Sequence, residues 1–181
     1  MTRLQRVAVL TKLTEKLHES GSWCGETHLQ KAAYFLQELF NVLLVYEFIL
    51  YKHGPFSFAL RDELSSIYAD GLLRLQPKPP PYGPTIVTTP QSAEIFGRFA
   101  RTLGEHERQI EFVATWLGNK KVSTLEGLAT AMYVWRELGT QSTLEERAEK
   151  LHSLKPHVSE DQALDFLRQV ERLASEASSV R

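Results

Sequence analysis

Six histidines, one cysteine and two carboxylate pairs at helical spacing are the side chains of this sequence that could carry chemistry. The histidines are His18, His28, His53, His106, His152 and His157. A zinc site needs His or Cys in pairs at short spacing on one element. Only His152 and His157 come close, with Pro156 between them and no cysteine nearby, so they read as loop histidines and no metal site is expected. Cys24 has His28 four residues on, but a nucleophilic thiol needs a lowered pKa and a base, so it reads as a small apolar residue in a connector. Asp161 with Asp165, and Glu145 with Glu149, stand one helical turn apart and read as solvated faces. There is no H-E-x-x-H, C-x-x-C, phosphate-binding glycine loop or G-x-S-x-G elbow. No catalytic residues and no cofactor are expected.

The most unusual polar cluster is Tyr51-Lys52-His53-Gly54-Pro55, a turn at the head of a helix predicted over Ser57–Asp70. A helix start offers free N–H groups and the positive end of a dipole, which suit an anion. Lys52, His53 and Arg61 could join such a site; the other reading is a structural turn, with Gly54-Pro55 fixing the chain reversal and Tyr51 packed beneath it. Arg74, Lys78 and Tyr82, on a predicted wing of strand and proline-rich loop further along, add a second exposed feature. Together Tyr51, Lys52, His53, Arg61, Arg74, Lys78 and Tyr82 form the expected partner-binding surface.

The elements that must position these residues can be read from periodicity. Residues 3–19 predict an amphipathic helix with Val9, Leu10, Leu13 and Leu17 inside, terminated at Gly21. Thr27 with Gln30 fits a capping box and opens a second helix. Its apolar stripe is Leu29, Ala32, Ala33, Leu36, Leu39, Phe40 and Leu43, with Gln30, Lys31, Gln37, Glu38 and Asn41 opposite and Tyr34 at the edge. Val45–Lys52 is aromatic and β-branched, which predicts a strand. Gly54-Pro55 breaks it, Ser57 caps the next helix, and Gly71 closes that helix. Leu72–Leu75 and Thr85–Thr88 predict two short strands flanking the stiff loop Lys78–Pro84.

Beyond Thr89 all segments read as helical. Thr89-Pro90 opens one helix, Gly104 punctuates, and Gly118-Asn119 ends the next. Ser123 with Glu126, Thr143 with Glu146, and Ser159 with Gln162 supply three further capping boxes. The expected fold is therefore mainly α: a winged-helix-like region with a small β-wing over residues 1–90, then a helical bundle over 91–181 packed on it as one compact domain.

The totals suit this fold. Apolar residues make up 43% and charged residues 24%, with a formal charge of −1. A chain of this length can bury roughly two-thirds of its unfolded surface without staples. The first ninety residues carry 9 Lys+Arg and 8 Asp+Glu, the remainder 12 and 14. Neither half has the positive excess of a strong non-specific nucleic-acid binder. The predicted Ser57–Asp70 helix shows one base, Arg61, against Asp62, Glu63 and Asp70, which disfavours a DNA-reading role. The N-terminus lacks the apolar core of a signal peptide, and no run approaches the about 18 apolar residues of a membrane span, so a cytoplasmic protein is expected.

LQKAAYFLQ (Leu29–Gln37), HGPFS (His53–Ser57), DEL (Asp62–Leu64) and GL (Gly71–Leu72) resemble the prokaryotic YwgA-like group, itself related in pattern to the Panacea (SocA-like) antitoxin domain. LEGLATAMYVW (Leu125–Trp135) and LKPHVS (Leu154–Ser159) extend the resemblance over most of the chain. His53 stands where tyrosine or another residue is usual, and Glu63 separates Asp62 from Leu64. The resemblance implies a non-enzymatic regulatory or partner-binding protein of a toxin–antitoxin or phage-defence system. Its partner would be a toxin or defence effector, blocked by protein–protein occlusion. The second reading is a winged-helix DNA-binding regulator, in which a homodimer would be at home. The third is an enzyme or nucleotide-sensing domain using the helix start at Ser57.

Overall fold

The structure, a computed structural model, describes residues 1–79, 83–139 and 141–180. Among the described residues the chain is mainly helical, with eight helices and two small antiparallel hairpins. In chain order these are α1 (Arg3–Glu19), α2 (Glu26–Phe40), β1 (Ile49–Tyr51), β2 (Gly54–Phe56), α3 (Phe58–Ala69), β3 (Leu73–Gln76) and β4 (Thr85–Thr88). There follow α4 (Ser92–Arg98), α5 (Ala100–Leu117), α6 (Val122–Leu138), α7 (Leu144–Leu154) and α8 (Glu160–Ala177).

Local signals that need no distant partner act as expected. Gly21 at φ +82° and Gly71 at φ +72° close α1 and α3. Ser57 caps α3, its side chain accepting from the Leu60 amide at 3.3 Å. Thr143 and Ser159 form complete capping boxes with Glu146 and Gln162. The core joins both halves of the chain. α1 packs along α5, α2 lies against α5 and α6, and α6 packs on α8 and on β2. Val7, Leu10, Leu13, Leu17, Phe35, Leu36, Leu125, Leu128 and Leu167 are fully enclosed.

Several expectations are corrected. Of the strand predicted over Val45–Lys52, only Ile49–Tyr51 pairs, and it pairs with a strand the sequence did not announce, Gly54–Phe56. The register is Ile49↔Phe56, Leu50↔Pro55 and Tyr51↔Gly54. A strand needs a partner for its backbone groups, and Val45 at φ +54° cannot continue one. α2 starts one residue before Thr27, from Gly25, and carries no side-chain cap bond. α6 likewise starts from Lys121, before Ser123, and is uncapped. α4 begins at Ser92, two residues past Pro90, because Thr89 Oγ1 donates to the Gly71 carbonyl at 2.6 Å instead of capping a helix. Gly104 lies inside α5, and the break falls at Phe99. β3 and β4 pair from Leu73↔Thr88 to Gln76↔Thr85, which makes the expected hairpin. Three residues of the loop between them, with Tyr82 among them, lie outside the described residues.

Candidate functional site

The β1–β2 turn is held from beneath by side chains of α2 and α6 and by the residue that follows α7. The reason lies in α2, whose predicted polar face is buried over its first turns and opens only toward Gln37, Glu38 and Asn41. Gln30 and Lys31 are buried among the core residues. Gln30 accepts from the Ser57 amide at 3.1 Å and donates to the Ser57 carbonyl at 3.0 Å. Lys31, only 1% exposed, donates from Nζ to the Pro55 carbonyl at 2.7 Å. From beyond α7, Lys155 donates to the Lys52 carbonyl at 2.6 Å. His53 Nδ1 lies 3.0 Å from Glu126 Oε1 on α6. Burial pulls the Lys31 ammonium down to about 8, with Glu126 supporting its charge and Lys155 opposing it. The backbone of the turn is thus pinned at Lys52, Pro55 and Ser57, and His53 is tied by its side chain.

What this platform presents is aromatic. Tyr51 is 45% and Phe58 40% exposed. Their rings stand 5.5 Å apart, and Phe56 lies 5.9 Å from Tyr51 and 5.1 Å from Phe58. The Arg61 guanidinium lies over the Phe58 ring at 5.1 Å. Ile49, exposed and opposite Phe56 in the register, extends the patch. Tyr51 is therefore displayed and not packed beneath the turn.

The helix start expected to receive an anion is closed. Ser57 is fully buried, and its hydroxyl, amide and carbonyl all have protein partners. The exposed charge on α3 is also less acidic than its composition. Arg3 on α1 takes Glu63 at 2.8 Å and Asp70 at 3.4 Å. Arg61 and Asp62 remain, paired with each other at 3.3 Å. Arg74 and Lys78 are exposed, on or just after β3. The corner and the wing leave from opposite ends of α3, whose 12 residues span about 18 Å. Tyr51, Lys52, His53 and Arg61 form one neighbourhood, and Arg74 and Lys78 belong to another.

Sequence reasoning missed Gln30, Lys31, Glu126 and Lys155 as parts of the corner. The only signal was that all four fall within the segments that carry the family resemblance. Cys24 is enclosed, and burial pushes its thiol up to about 12, which removes it as a nucleophile. His28, its presumed base, meets the Lys120 carbonyl at 3.0 Å, and burial lowers its pKa. Among the described residues no group of three or more His, Cys, Asp or Glu could hold a metal.

The loop leading into β1 carries backbone strain. Val45 has φ +54° although it is β-branched, and it is 68% exposed. Leu43, two residues earlier, is 60% exposed. A non-glycine residue held there costs on the order of 1–3 kcal/mol, and Val45 recovers little of it by burial. Val45→Asn, a side chain that tolerates this region, is expected to raise stability by about 1 kcal/mol, read as a higher midpoint in thermal or urea denaturation. Compared with protein-family models and with curated proteins, the sequence matches none.

Proposed function

We propose that this protein is a non-enzymatic, partner-binding regulator that acts by occlusion, docking its Tyr51–Phe58 corner on a protein and blocking it. The observation that carries this reading is the exposed aromatic–arginine cluster of Tyr51, Phe56, Phe58 and Arg61 on a turn fixed by buried lysines. Tyr and Arg dominate the energetic centres of protein interfaces. A platform already ordered in the free protein avoids the entropy cost of ordering it on binding. The YwgA-like and Panacea-like resemblance supports a toxin or defence effector as the partner, and the compartment proposed is the cytoplasm. The element order of the first ninety residues, two helices, a hairpin, a helix and a hairpin, suits a winged-helix-like scaffold. The helical half would pack on it as one compact domain.

Candidate partners are the proteins encoded beside its gene, expressed to arrest growth and scored for rescue. Tyr51→Ala with Arg61→Ala is expected to weaken the complex about tenfold or more and to abolish rescue. Both side chains are half exposed, so the melting temperature should hardly move. Full rescue by this folded double variant would remove the corner as the docking surface. A DNA-reading role finds less support, because α3 exposes one base already paired with one acid. Flat, salt-independent mobility shifts on duplex DNA are expected.

A further inference from the structure

β1 is an edge strand whose outer side is open over a short stretch. β2 stands between it and the core, packed on α2 and α6. Pro55 has no N–H, so Leu50↔Pro55 is a pair without cross-strand bonds, and the ladder runs through Ile49↔Phe56 and Tyr51↔Gly54. The amide and carbonyl of Leu50 therefore point away from β2, as do those of Phe48 two residues earlier. Among the described residues none of these four groups has a hydrogen-bond partner. The flanking positions on the same side are engaged. Gln37 accepts from the Tyr46 amide and donates to the Tyr46 carbonyl, both at 3.0 Å, and Lys155 holds the Lys52 carbonyl. What remains is a window of two residues, and an unpaired strand edge is a template for another strand.

Side chains along this edge alternate. Val42, Leu44 and Tyr46 are buried, whereas Leu43, Val45, Glu47, Ile49 and Tyr51 are exposed. The exposed row is apolar except at Glu47, and through Tyr51 it meets the Phe58 ring. Its five apolar side chains expose roughly 400 Å² per chain. Two copies would bring about 800 Å² of apolar surface together, and the backbone edge carries the total to the roughly 1,000 Å² that a specific interface needs.

We propose that β1 pairs antiparallel with β1 of a second copy of this chain, joining the two hairpins into a four-stranded sheet. The window is self-complementary. With Phe48 opposite Leu50 of the second copy, and Leu50 opposite its Phe48, all four open groups of each chain find partners. A register shifted by one pair sets Phe48 against Lys52 or Leu50 against Tyr46, whose carbonyls are already engaged. Ile49 falls on the two-fold axis against itself. The same register sets Glu47 opposite Tyr51 of the second copy and near its exposed Lys52–His53 turn, an acid toward a base. The Leu43–Val45 end of one apolar row then runs toward the Tyr51–Phe58 end of the other. Tyr51 lies in both surfaces, so the second copy and a docked partner exclude each other. The pairing stands on the open edge and does not depend on what docks at the corner.

The test is sedimentation equilibrium of the full chain up to about 200 µM, where a dimer with a dissociation constant of about 10 µM or below is expected. Ile49→Lys sets two ammonium groups against each other on the axis and is expected to weaken the dimer about tenfold or more. Ile49 is 43% exposed, so the melting temperature of the variant monomer should hardly move. Ile49→Cys tests the register. An unbonded cross-strand pair has Cα atoms about 4.5 Å apart, within disulfide reach, and air oxidation is expected to link two copies there. Cys24, the native cysteine, is buried and does not compete. Tyr51→Cys lies about 13 Å from its own copy in this register and is expected to stay unlinked. A monomer at every concentration would overturn the proposal and leave the edge to a strand of another protein. A dimer that Ile49→Lys leaves intact, or that links through Tyr51→Cys and not through Ile49→Cys, would overturn it as well.

Discussion

Gly54→Ala is expected to lower stability by about 3 kcal/mol and to loosen the whole corner. Two separate costs add. Gly54 has φ +84°, where an L side chain meets its own carbonyl, at about 1–2 kcal/mol. A Cβ there would also stand 2.8 Å from Thr130 Oγ1 and 3.3 Å from the Glu126 carbonyl on α6. Overpacking a tight site costs typically about 1–3 kcal/mol, and helix backbone cannot step aside as a flexible side chain can. The two costs can be separated by urea denaturation of the single variants and of Gly54→Ala with Thr130→Ala. Removing Oγ1 relieves the closer contact but leaves the φ strain and the Glu126 carbonyl. The double variant should thus lose about 1 kcal/mol less than additivity requires. Strict additivity would mean that β2 does not lie against α6 as described.

The same turn shows why some of this protein was legible from sequence and some was not. Thr143 and Ser159 were readable as helix starts because a capping box closes within four residues. Thr27 and Ser123 match the same pattern but are not caps, since distant partners claim the third residue of each match. Gln30 turns to Ser57, 27 residues away, and Glu126 turns to His53. Periodicity places Lys31 on the surface, because a charged residue opposite an apolar stripe is usually solvated. It is buried because Pro55, 24 residues on, brings it a carbonyl. Lys155 reaches Lys52 over 103 residues, a separation at which periodicity carries no information. The exposed members of the site, Tyr51, His53 and Arg61, stood out because residue type alone marks them. The groups that fix their geometry did not, because only the fold gives those groups partners.

Lys31 provides the second large effect, in the pH dependence of stability. Its ordinary pKa is near 10.5, and burial lowers it to about 8 in the folded protein. Below pH 8 both states hold the proton, and the full cost of enclosing the ammonium is present. Between pH 8 and 10.5 the folded state has released its proton while the unfolded chain still binds one. The unfolded state binds more protons in that window, so stability rises with pH. From pH 8 to pH 10 the gain approaches about 2 kcal/mol. Tyr34, Tyr46 and Tyr68 oppose it above pH 10, because burial raises their pKa values and the folded state then holds the extra proton. Those residues are shared by Lys31→Met, so the difference between the two proteins isolates Lys31. The variant leaves the Pro55 carbonyl without its donor, a loss of about 1–3 kcal/mol. It also removes a buried charge, which offsets part of that loss. The sign of the change at pH 7 is therefore less telling than its slope. Urea denaturation of both proteins at intervals from pH 7 to 10 should show the wild-type chain gaining on the variant through this window. Parallel curves would mean that the ammonium is hydrated and that the turn is not clamped by a buried charge.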